Sequence, residues 1–89
     1  MALRGVTYSI EILRVAQKQL AKIDRAQQQR IIDAIRLLAD NPRPAGCKKL
    51  TGRPAWRIRI GVYRVIYEIH DGRLLVLIVT IGNRKDVYR

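Results

Sequence analysis

The last third of this chain alternates apolar and polar residues with the period of a β-strand, whereas its first half repeats apolar positions at helical spacing. In AWRIRIGVYRVIYEI, residues 55–69, alternation sets Trp56, Ile58 and Ile60 on one face and Arg57 and Arg59 on the other. Past Gly61 the apolar face continues through Tyr63, Val65, Tyr67 and Ile69, with Arg64, Glu68 and His70 opposite. Gly61 marks a tight connection between these strands, and Asp71-Gly72 is a hairpin signal before a further strand predicted over 74–81. The apolar run at 74–79 fits a strand buried on both faces and is too short to span a membrane.

Nearer the start, Val6, Tyr8, Ile10 and Ile12 alternate loosely with Thr7, Ser9 and Glu11, which predicts an opening strand over 6–12. The period then changes. Leu13, Ala16, Leu20 and Ile23 recur at helical spacing with Arg14, Lys18 and Lys22 outside. Asp24 is placed to cap a second helix that carries Ile31, Ile35 and Leu38 inward with Ile32 beside them, and Asn41 and Pro42 end it. A crossing at 41–46 with two prolines and a glycine leads into CKKLTGRPA, which sets Lys48, Lys49 and Arg53 just ahead of the arginine strand. The expected fold is α+β: an N-terminal strand, a helical hairpin and a three-stranded antiparallel meander, with the helices packed on one face of a four-stranded sheet. Residues 1–89 make a single domain with no internal repeat or linker.

Charge changes the picture from fold to partner. Eighteen Lys and Arg against seven Asp and Glu leave a net charge of +11 on 89 residues, which attracts nucleic acid or an acidic protein. A content of 48% apolar residues argues for a folded chain rather than a basic tail. Cys47 is the only cysteine, which excludes an intrachain disulfide and a thiolate metal cluster and points to a reducing cytoplasm. The opening MALRGVTYSIEIL lacks the apolar core of a signal peptide, so neither secretion nor a membrane partner is expected.

The strands bring Arg57, Arg59 and Arg64 to one face, and the string GNRKDVYR that follows adds Arg84 and Tyr88. Such a convergence suits a polyanion and its cleavage. Alternation alone also describes the solvated face of an antiparallel sheet. By the same plain reading Lys48, Lys49 and Arg53 are a charged loop, Tyr88 is a frayed terminal residue, and His70 is a surface histidine with no second partner in sequence. Trp56, Tyr63 and Tyr67 fall on the apolar face, where core packing is the better reading than base stacking.

The string KKLTGRPAWRIRIGVYRVIYEI, followed by an apolar strand and IGNRKDVYR, resembles the RelE/ParE superfamily of bacterial toxins, in which a basic loop, a W-R-I-R strand and a Y-R-V-I-Y strand recur in this order. The opening strand and helical hairpin match in order and length, so the resemblance covers essentially the whole chain. For the RelE branch it implies the toxin of a type II toxin-antitoxin system: an mRNA interferase that enters the A site of the 70S ribosome and cuts the exposed codon. The branch works without metal or other cofactor, using the ribose 2′-OH as nucleophile to leave a 2′,3′-cyclic phosphate and a 5′-OH. Matching strings carry the catalytic set onto Arg57, Arg59, Arg64, Arg84 and Tyr88. Lys48, Lys49 and Arg53 are expected to extend the RNA-binding surface to ribosomal RNA. Here the second-strand pair is arginine where the best-known pattern has lysine, and the spacing from Arg84 to Tyr88 is shorter.

Arginine holds its proton too firmly to act as general acid or base, so its role is to answer charge on the phosphate. Tyr88 is the candidate for proton transfer, since nearby cations favour phenolate; its alternative role is to stack on a base and orient the ribose. The resemblance further implies a RelB-like antitoxin, acidic toward its C-terminus, through which operator DNA would be bound only indirectly. Two other functions fit the same fold: a ParE-like, non-enzymatic gyrase inhibitor, and an inactive module that binds an antitoxin.

Overall fold

The computed structural model describes residues 7–83. Strand β1 (Ser9–Ile12) is followed by helices α1 (Arg14–Ala21) and α2 (Arg25–Leu37), then by β2 (Lys48–Lys49), β3 (Trp56–Ile60), β4 (Tyr63–His70) and β5 (Leu75–Asn83). The strands form one sheet in the order β1-β5-β4-β3-β2, with β1 parallel to β5 and every other pair antiparallel. The α+β architecture is as expected, but the sheet has five strands rather than four, because Lys48 and Lys49 pair with Arg57 and Trp56 along the β3 edge. The opening strand is also shorter than 6–12, beginning at Ser9.

The helical hairpin forms for the reasons its sequence suggests. The Asp24 carboxylate accepts the Gln27 backbone N–H at 3.4 Å and so satisfies one of the orphan donors at the start of α2. Apolar spacing then turns Ala16, Ile31, Ile35 and Leu38 onto the sheet, where they pack in one cluster with Ile58, Ile60, Val65, Tyr67, Val76, Ile78 and Ile81. The helix stops at Leu37, ahead of Asn41, and Leu38 completes the cluster from just beyond its end. Tyr67 is fully buried, and its hydroxyl donates to the Pro42 carbonyl at 2.7 Å, anchoring the crossing to the core. Burial pushes its phenol well above the ordinary tyrosine range.

Strand β5 departs from simple alternation. Ile66 pairs with Thr80 and Tyr67 with Ile78, so Val79 bulges out of the β4 ladder. Ile78 and Ile81 lie three positions apart and would face opposite ways in an unbroken strand. The bulge lets both enter the helix-side core, where each is fully buried.

The turns differ in strain. Gly61, at φ 60°, opens the β3–β4 turn in a left-handed conformation that glycine adopts without penalty. After Asp71-Gly72 the chain makes a turn of 3-10 helix, Asp71–Arg73, and Leu74 takes the left-handed conformation at φ 51°. That conformation costs a residue with a Cβ about 1–2 kcal/mol. A β-branched side chain fits it worse, so Leu74→Val is expected to lower unfolding stability by on the order of 1 kcal/mol, read as a shift in the urea midpoint.

Candidate nucleic-acid interface

Antiparallel pairing places directly opposed residues on the same face. Lys48 opposes Arg57, and Arg59 opposes Arg64. Because Ile58, Ile60, Val65 and Tyr67 alternate into the core, these four cations share the face turned away from the helices. Three neighbouring strands thus deliver Lys48, Arg57, Arg59 and Arg64 side by side, with the Arg59 and Arg64 backbones about 5 Å apart.

The four do not sit at one depth. Arg59 and Lys48 are exposed and Arg57 is half-buried, whereas Arg64 retains only 8% of its accessible surface. Arg59 therefore fits the plain reading of a solvating side chain, and Arg64 does not. A guanidinium at that depth is a positioned group, since removing such a charge from water is unfavourable unless its surroundings compensate. The face is also not uniformly polar: Ile66 and Leu75 lie on it and are buried outside the main core cluster.

The remaining RNA-contact candidates gather beside this face. Lys48, Lys49 and Arg53 line an open groove of about 380 Å³ together with Leu50, Thr51 and Arg57. Arg84 and Tyr88 lie outside the described residues. The described part of β5 ends at Asn83 opposite Tyr63, one residue beyond the Gly82–Arg64 pair.

Two polar clusters escaped the sequence reading. Arg43 clamps Asp71, at 2.9 Å from Nη2 to Oδ2, and lies over the Trp56 ring at 5.2 Å from its centroid. The Tyr8 hydroxyl donates to the same carboxylate at 2.6 Å, so this cluster ties the chain ahead of β1 and the crossing from α2 to β2 to the β4–β5 turn. The Arg43 hydrogen bond, with that from Tyr8, holds the Asp71 carboxyl below its usual range, while the bond to Asp71 raises the Tyr8 phenol. With its folded-state pKa depressed, Asp71 contributes stability that is present above the unfolded carboxylate pKa of about 3.9 and is lost as pH falls through the lower folded value. Asp71→Asn is expected to flatten that acid limb in a thermal-melting series between about pH 5 and pH 2. The second cluster is His70 with Glu68, at 2.9 Å on the arginine face of β4, which gives that histidine a partner two residues away. Among the described residues no group of three or more His, Cys, Asp or Glu assembles, and no helix is long and apolar enough to cross a membrane.

This cationic sheet under a helical hairpin has relatives. Residues 10–88 match the ParE toxin family of type II toxin-antitoxin systems, the parDE type. The chain belongs to that family. A RelE-like toxin protein of Escherichia coli is 27% identical over 85 residues, spanning 91% of this chain and 90% of the relative. Among solved structures, the archaeal RelE–RelB complex from Pyrococcus horikoshii matches with a TM-score of 0.81 at 26% identity, covering 92% of this chain and 100% of the other. The RelBE toxin-antitoxin complex from Mycobacterium tuberculosis matches in fold with a TM-score of 0.80 at 23% identity, covering 93% and 98%. The toxin described here is thus a type II toxin of the RelE/ParE superfamily, and its mixed sheet with two helices is the fold of the RelE structures.

Proposed function

We propose that this toxin is a RelE-type endoribonuclease that cuts mRNA in the ribosomal A site. The observation that carries the reading is the pairing of Arg59 with Arg64 beside Arg57 and Lys48, on the face away from the helices. Like charges directly opposed across two strands cost stability, and a phosphate between them offsets that cost. Arg64 is the group best suited to the scissile phosphate, because its depth restricts it to one position.

The chemistry needs no group that the chain lacks. The ribose 2′-oxygen attacks the adjacent phosphorus, its proton leaves to a base, and a P–O bond to the next 5′-oxygen breaks as that oxygen gains a proton. The products are a 2′,3′-cyclic phosphate and a 5′-OH. Negative charge builds on the nonbridging oxygens during attack, where guanidinium forks stabilise it. Arg64 and Arg84 take that role in this proposal, with Arg57 and Arg59 positioning the backbone electrostatically. Tyr88 moves the proton or orients the ribose; Tyr88→Phe separates these, since the ring remains and only the hydroxyl is lost.

A RelB-like antitoxin, acidic near its C-terminus, would lie across this surface and silence it, and such a toxin works in the cytoplasm, where ribosomes are. The relatives of known structure include toxin-antitoxin complexes with RelB, which supports a partner of that kind. The match to the ParE toxin family favours a second reading, a gyrase inhibitor that cleaves nothing. Induced expression distinguishes them. Growth arrest with messages cut at translated codons is the expected result, and intact messages with gyrase-linked DNA damage support the second reading instead.

A further inference from the structure

We infer that the groove between β2, β3 and their connecting turn is a subsite for one nucleotide of a single strand, adjacent to the scissile phosphate. This deepens the nuclease reading and rests on it for the identity of the strand. Six residues line the groove: the basic residues Lys48, Lys49, Arg53 and Arg57, with Thr51 and the apolar residue Leu50. No carboxylate lines it, and neither the Arg43–Asp71 ion pair nor the His70–Glu68 contact involves Lys48, Lys49 or Arg53.

Cations alone would bind any polyanion. Leu50 and Thr51 add what a nucleotide has and inorganic phosphate lacks, an apolar surface for a ribose or base and a hydroxyl to exchange hydrogen bonds with its polar edge. The volume of about 380 Å³ is at the small end of ligand sites, which run about 300–1,000 Å³, and suits a single unit rather than a folded oligonucleotide. The groove is also built. The Leu50 N–H donates to the Ala55 carbonyl at 2.8 Å across the turn, and Gly52 at φ 73° takes a conformation that a residue with a Cβ resists.

Position connects the groove to the cationic face. Lys48 and Arg57 belong to both, so the groove continues the face past the edge of the sheet. From β4, which carries Arg64, to β2 is two strand spacings, about 10 Å, within reach of a neighbouring nucleotide on the same strand. A single strand whose reacting phosphate meets Arg59 and Arg64 then crosses β3 and drops its neighbour against Leu50.

Backbone amide shifts of the isolated toxin, titrated with adenosine 3′,5′-bisphosphate, test this directly. Saturable shifts confined to residues 48–57 are expected, with inorganic phosphate binding at least about tenfold more weakly. Lys49→Ala/Arg53→Ala, two exposed positions, should weaken the bisphosphate by about tenfold with its amide dispersion unchanged, while Arg25→Ala, an exposed arginine at the start of α2, should not. No shift at 48–57, equal affinity for inorganic phosphate, or tighter binding there of a short poly-glutamate peptide would each overturn the subsite. Message cleavage is scored separately: bisphosphate in the groove without cleavage keeps the subsite and removes the nuclease, and cleavage with an unresponsive groove removes the subsite alone.

Discussion

Arg64→Ala is expected to cut ribosome-bound message at least about 10²-fold more slowly than the native toxin, the scale of removing one preorganised oxyanion stabiliser. That factor corresponds to about 2.7 kcal/mol of transition-state stabilisation. The size of the effect follows from where the side chain sits. It is drawn from the middle of β4, opposite Arg59, and is almost withdrawn from solvent, so neither water nor a neighbouring lysine replaces its fork at the same place. Arg64→Lys retains a charge without the paired donors and is expected to recover only part of the loss. Arg59→Ala, with its exposed side chain, is expected to lose less than Arg64→Ala. Equal losses at the two positions would mean that depth confers nothing and that the face acts by summed charge.

Ile31→Ala is expected to lower stability by about 2–5 kcal/mol, read by chemical denaturation. Ile31 is fully buried at the centre of α2 and belongs to the cluster that joins both helices to β3, β4 and β5. Removing its outer carbons forfeits their transfer energy and leaves a cavity that close-packed neighbours fill only in part. In a domain of this size such a loss is a large fraction of the total stability, which is commonly 5–15 kcal/mol. The exposed Leu37 at the end of the same helix provides the control, since Leu37→Ala should change little. The pair also separates two ways of losing toxicity: Ile31→Ala removes it by unfolding, with activity returning in proportion to the folded fraction, and Arg64→Ala removes it from a protein that remains folded.

The residues show why part of this arrangement could be read from sequence. Alternation over Trp56–Ile60 and Tyr63–His70 assigned the faces of β3 and β4, and with them the side on which Arg57, Arg59 and Arg64 lie. The Asp24 cap and the Gly61 turn were legible because each is a local requirement of the backbone. Lys48–Lys49 carries no apolar signal, and its strand exists only because the β3 edge is available to pair with it. The bulge at Val79 was hidden by an unbroken apolar run, in which no period distinguishes one face from the other. Alternation likewise gave Arg64 a side but not a depth, since depth depends on what surrounds β4 rather than on its own pattern. The clamp of Arg43 on Asp71 joins residues 28 apart, and Tyr8 reaches the same carboxylate from 63 away, beyond any local rule.

The proposed activity rests on a face of four cations on three adjacent strands, which suits a polynucleotide, and on a buried guanidinium among them, which suits a phosphate. Both depend on the bond that is broken. The decisive measurement is the chemistry of RNA ends after purified toxin meets ribosomes carrying a defined message, beside the same message free in solution. The account predicts a cut within the A-site codon that leaves a 2′,3′-cyclic phosphate and a 5′-OH, with free message barely touched. Intact message on the ribosome, alongside inhibition of gyrase supercoiling by the same preparation, would contradict it.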